Sequence, residues 1–147
     1  MRTVIVLLVL MGMLFSFKVS SQSCQVPAHL NGKSVLQEIT GMDARINPEA
    51  DSLRSYVFLN DKINDVSLIT GKKINANYHY QVLAPNIAQL EVYSFKDKQN
   101  LLYRAIWVCT TNTVGYFIYT LINGEYSVNV TPHQASGVYI IQQSQSD

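Results

Sequence analysis

Three histidines, two cysteines and ten carboxylates are the side chains through which this chain could do acid–base, nucleophilic or metal chemistry. His29, His79 and His133 stand far apart, and none has Cys, Asp or Glu at metal-ligand spacing. His79 falls on the polar side of an alternating segment, where a solvated imidazole is expected. No nucleophile elbow, Walker loop, Cys-x-x-Cys pair or glycine-rich dinucleotide turn occurs. Glu91 sits within a strand-like run, as an inward carboxylate or, as its charge favours, a surface one. These residues argue against an enzyme and call for no cofactor and no metal. A site assembled from distant positions stays open, with inward tyrosines as its acid–base groups.

The two cysteines suit a structural role. Cys24 and Cys109 are the whole complement, and Cys109 lies in an apolar stretch that disfavours a reactive thiol. In an oxidising compartment two such residues pair. Two free thiols or an intermolecular bridge are the alternatives. The N-terminus supplies the compartment: Arg2, an apolar run from Val4 to Phe15, then Lys18 and the small residues Val19-Ser20-Ser21. This is the pattern of a signal peptide spanning residues 1–21, cleaved between Ser21 and Gln22. The run is shorter than the roughly 20 apolar residues of a membrane span, so no membrane insertion is expected. Removing Arg2 and Lys18 from 11 cations leaves 9 against 10 acidic groups. That near-neutral balance carries no footprint for nucleic acid or an anionic membrane. The remaining residues 22–147 make one domain, predicted to be secreted and extracellular.

The elements that must position any site are strands. From Lys72 to Leu83, Ile74, Ala76, Tyr78, Tyr80 and Val82 alternate with Asn75, Asn77, His79 and Gln81, the mark of a strand with one dry and one wet face. Strands are predicted near 33–40, 53–59, 64–69, 73–83, 87–96, 101–109, 114–122, 125–131 and 137–142, with a helical turn invited only at Pro48 to Ser55. Eight or nine short strands at this spacing describe an all-β, antiparallel up-and-down barrel or a sandwich. Asn123-Gly124 is a strong two-residue hairpin signal. It would pair Leu121 with Tyr126, Tyr119 with Val128 and Phe117 with Val130, on one inward face. The opposite face would carry Tyr116, Ile118, Thr120 and Ile122, leaving Ile118 and Ile122 for a neighbouring element or an interface.

Tyrosine is the positive signal. Tyr78, Tyr80, Tyr93, Tyr103, Phe117, Tyr119 and Tyr126 lie on predicted strands. Rings at period two make an ordinary core, but a buried tyrosine hydroxyl needs a partner, and an eight-stranded barrel can just enclose one small ligand. Two functions follow. One is a binding protein for a small hydrophobic or amphipathic ligand, with Tyr78, Tyr80, Phe117, Tyr119 and Tyr126 lining its cavity. The other is a protein-interaction module with a filled core and a protein partner. Asn129-Val130-Thr131 is an N-glycosylation sequon with Asn129 on the outward face, although Pro132 lowers its efficiency.

Two stretches resemble a family. Cys24 to Ile39, with Pro27, Leu30-Asn31-Gly32-Lys33 and Leu36-Gln37-Glu38-Ile39, is similar to the opening of lipocalins. Ile106-Trp107-Val108-Cys109-Thr110-Thr111 through Tyr116 to Leu121 resembles the strand pair of apolipoprotein D-like members. Ser34 replaces the first-strand tryptophan, Thr110-Thr111-Asn112 departs from Thr-Asp-Tyr, Arg104 is too early for the family arginine, and Asp147 leaves no room for a C-terminal helix. The resemblance implies a shortened or divergent calycin barrel that transports or sequesters a small hydrophobic ligand.

Overall fold

A computed structural model of the chain describes residues 23–40, 51–122 and 133–142. Its strands are β1 (Ser34–Thr40), β2 (Ser52–Leu59), β3 (Lys62–Ser67), β4 (Lys73–Ala84), β5 (Ile87–Ser94), β6 (Leu101–Cys109), β7 (Val114–Leu121) and β8 (His133–Gln142). Each pairs antiparallel with the next, and β8 returns to β1, so the sheet closes into an eight-stranded up-and-down barrel. Closure removes every free sheet edge. Alternation along β2, β5 and β7 puts every second residue inside.

Two expectations are corrected. The Asn123-Gly124 hairpin register does not form: β7 pairs instead with β8, setting Leu121 opposite His133, Tyr119 opposite Ala135 and Phe117 opposite Gly137. The other edge of β7 is taken by β6, so both of its edges are claimed by the long-range pairing that closes the barrel. The inward assignment of Phe117 and Tyr119 holds, since both are buried. The helical turn also fails where it overlaps β2, because Arg54 and Ser55 are strand residues paired to β1 and β3. The leader at 1–21, the turn Asn123-Gly124, Tyr126 and the sequon at Asn129 lie outside the described residues.

Inside the barrel, rings face small residues. Across the ladder Trp107 lies opposite Ala88, Phe117 opposite Gly137, Tyr139 opposite Gly115, and Tyr119 between Ala105 and Ala135. A barrel this narrow holds a ring more readily where an adjoining strand gives up its side chain. At Gly137 a Cβ would overlap the Glu38 carbonyl oxygen and press on the Phe117 ring; at Gly115 it would strike Tyr139 and the Val108 carbonyl.

One end of the barrel is stoppered. The segment Cys24–Asn31 crosses beneath the β2–β3, β4–β5 and β6–β7 turns and buries Val26 and Leu30. Val26 N–H donates to the Pro85 carbonyl (2.9 Å), Gln25 N–H to Asn112 Oδ1 (2.9 Å), and Asn60 N–H to Asn31 Oδ1 (2.8 Å). The disulfide Cys24–Cys109 ties this segment to the end of β6. Closing a loop across 85 positions removes denatured-state entropy worth about 4–5 kcal/mol in the chain-entropy account.

Gly137→Val should lower the unfolding free energy by about 1–3 kcal/mol, because a side chain there must displace backbone and ring together. Urea denaturation measures it; an unchanged midpoint would contradict the Phe117–Gly137 register.

Candidate functional site

The barrel is solid at the stoppered end. Trp107 stacks on Tyr139 with centroids 4.5 Å apart, Tyr80 meets Trp107 edge-on at 6.3 Å, and Phe58 meets Tyr78 edge-on at 4.9 Å. The Tyr80 hydroxyl donates to the Pro27 carbonyl of the stopper at 2.8 Å. Burial raises the hydroxyl pKa of Tyr80 well above the usual tyrosine range, and pushes that of Tyr139 up to about 12. Both rings therefore stay neutral near pH 7 and are poorly suited to act as bases.

Towards the opposite end the filling stops and a hollow of about 490 Å³ begins. Its walls come from β1 to β7, and small inward residues, Ala76 and Ala105, leave the space. One wall is apolar: Leu90, Val92, Leu102, Phe117, Tyr119 and Leu121. The other is polar. Gln37 on β1, Arg54 on β2 and Asp65 on β3 are buried and line the hollow. Arg54 grips Asp65 with two parallel bonds, Nε to Oδ1 at 2.9 Å and Nη2 to Oδ2 at 2.6 Å, with the side chains 5% and 10% exposed. The register explains the pair. Arg54 shares the inward face of β2 with Tyr56 and Phe58, and β3 brings Asp65 inward opposite Tyr56.

The hollow reaches the end where the β3–β4 and β5–β6 connections turn. Lys72, Lys73, Phe95 and Lys96 line it there. The β5–β6 loop is held back against the outer wall. Asn77 Nδ2 donates to the Ser94 and Phe95 carbonyls (2.7 and 3.3 Å), Lys62 Nζ lies 4.4 Å from the centre of the Phe95 ring, and Lys98 pairs with Asp61. This explains why Asn77 is buried although its parity points it outward.

Of the residues expected to line a cavity, Phe117 and Tyr119 lie on the wall of the hollow. Tyr78 and Tyr80 are inward but belong to the ring packing nearer the stopper. Tyr126 lies outside the described residues. Tyr103 also reaches the wall, edge-on to Tyr119 at 5.9 Å. The residues that sequence reasoning missed are Gln37, Arg54 and Asp65. Glu91 is on the outer face, opposite His79 and Arg104. Hydrogen bonds from Tyr93, and then from Arg104, hold its carboxyl below the usual glutamate range. His29 and His79 are exposed; β8 begins at His133.

No protein-family model, curated protein or solved structure matches this chain. The strand order is nonetheless consistent with a calycin-like barrel.

Asp65→Ala removes the carboxylate that grips the buried Arg54 guanidinium through two parallel bonds and should cost about 3–5 kcal/mol. The double variant Arg54→Met/Asp65→Leu should recover most of it, since apolar residues of similar volume replace buried pairs at little cost. Equal stability of Asp65→Ala and the parent in urea would contradict the buried pair.

Proposed function

We propose that this protein is a secreted carrier holding one small hydrophobic or amphipathic molecule in the open half of the barrel. The observation behind it is the hollow itself, within the roughly 300–1,000 Å³ of ordinary ligand sites, with an apolar lining and a few placed polar groups. The buried Arg54–Asp65 pair supports the same reading. Such a pair is a poor way to stabilise a core, but beside a hollow it offers a ligand a fixed dipole. Secretion is supported by the disulfide, which suits an oxidising compartment, and by the leader-like first 21 residues. The lipocalin-like segments agree with the carrier reading, and no catalytic step is assigned to the barrel.

A second reading, a protein-interaction module, draws on the outer face of β6–β8. There Tyr116 and Ile118 are 60% and 58% exposed, with Val108 and Ile140 beside them on the paired strands.

Two buried alanines separate the readings. Ala105 lines the hollow, whereas Ala88 lies beside Trp107 in the solid end. A fluorescent fatty-acid probe should bind the parent saturably at one to one. Ala105→Phe should abolish that binding at a smaller stability cost than Ala88→Phe, since its ring has the hollow to enter although Tyr119 must shift. Ala88→Phe should cost about 1–3 kcal/mol by overpacking. No saturable binding to the parent, with Ala105→Phe as damaging as Ala88→Phe, would favour the interaction module.

A further inference from the structure

The charged groups around the hollow are unevenly placed, and their placement bears on what the ligand carries and which way it lies. Among the described residues lining it, four cations, Arg54, Lys72, Lys73 and Lys96, accompany one carboxylate, Asp65. That carboxylate is buried and committed to Arg54 through a bidentate bond. That wall therefore presents a neutralised pair, and an acid brought to it would meet the Asp65 carboxylate at close range in a poorly hydrated site, where like charges repel strongly. The rim presents the opposite field. Lys73 and Lys96 are solvent-exposed and stand where the β3–β4 and β5–β6 connections meet the hollow. Of the acidic groups by the β5–β6 loop, Asp61 pairs with Lys98, and Asp97 accepts the Gln99 N–H within its own turn. Leu90 and Phe117, paired with Tyr80 and Trp107 of the ring-packed end, complete the lining with Val92, Leu102 and Leu121 and suit a hydrocarbon body.

We propose that the ligand is an amphiphile with a single anionic head, bound tail-first, its hydrocarbon body among the aliphatic and aromatic wall residues and its acid at the Lys73–Lys96 rim. This rests on the carrier reading and adds to it the sign of the charge and the orientation. The Arg54–Asp65 pair then disfavours the acid along its own wall, and any polar atom that a ligand brings to it is neutral, a hydroxyl or carbonyl able to share the hydrogen bonds of Gln37 and the pair.

The test uses three probes of one chain length, dodecanoate, dodecan-1-ol and dodecylammonium, titrated at pH 7.4 against the mature protein and against Lys73→Glu/Lys96→Glu. Both substitutions fall on exposed side chains, and circular dichroism confirms that the variant is folded. Dodecanoate should bind the parent about five- to tenfold tighter than the alcohol, the range expected of two exposed charge pairs, and dodecylammonium should bind weakest. The charge-reversed variant should invert the order of acid and amine and leave the alcohol unchanged. Raising salt from about 20 to about 300 mM should weaken dodecanoate alone, because exposed charges are screened over that range. If alcohol and acid bind equally, or the amine binds tightest to the parent, the proposal fails while the carrier reading stands. If dodecanoate is preferred but the variant and salt leave that preference intact, the acid lies in the interior and the orientation is wrong. If none of the three binds saturably, the carrier reading fails and the proposal with it.

Discussion

Eight strands close around an interior that side chains can just fill, so in this barrel the size of each inward residue decides whether a given level is solid or hollow. Trp107, Tyr139, Tyr80 and Phe58 occupy one end, each large ring admitted by a small neighbour or an edge-on contact. Further along, Ala76 and Ala105 face inward with too few rings to meet them, and the space stays open. The stopper follows from the same geometry. A narrow barrel still exposes its packed rings at an open end, and Val26 and Leu30 cover them while Pro27 satisfies the Tyr80 hydroxyl. The disulfide holds that cover on a chain segment that makes no strand of its own.

The polar wall is the second consequence of parity. A charged residue in the middle of a strand has two choices, and the face that carries Tyr56 and Phe58 inward carries Arg54 with them. Such a guanidinium can be tolerated only with a partner that satisfies it in two directions. The β2–β3 hairpin supplies Asp65 at the right register. The pair fixes the chemical character of the interior: polar, oriented and without net charge. The cationic character belongs to the rim.

Much of the frame was legible in the sequence because period two is a local signal. The alternation from Lys72 to Leu83 marks β4, and the faces of Phe117, Tyr119 and Ile118 follow from parity alone. What parity does not contain is depth. Tyr78 and Tyr80 share their inward face with Ala76, but tilt and register set the tyrosines among the rings near the stopper and Ala76 on the hollow. The partner of Tyr80 lies 53 residues away, beyond any local pattern. Asn123-Gly124 misled for the converse reason: a strong local turn signal says nothing of a β7 whose two edges are claimed by β6 and β8. Arg54 and Asp65 are joined only by the hairpin register, which no local pattern contains, although the spacing of Arg54 with Tyr56 and Phe58 carries the clue that Arg54 faces inward.

The central claim is that the open half of this barrel is a container. Native mass spectrometry of the protein purified from its own source tests that without choosing a ligand in advance. The account predicts a mass above that of the bare chain by one small apolar acid, lost when the protein is unfolded and recovered from the organic extract. A bare mass under conditions that preserve the fold, together with failure of the protein to take up any added amphiphile, would contradict it.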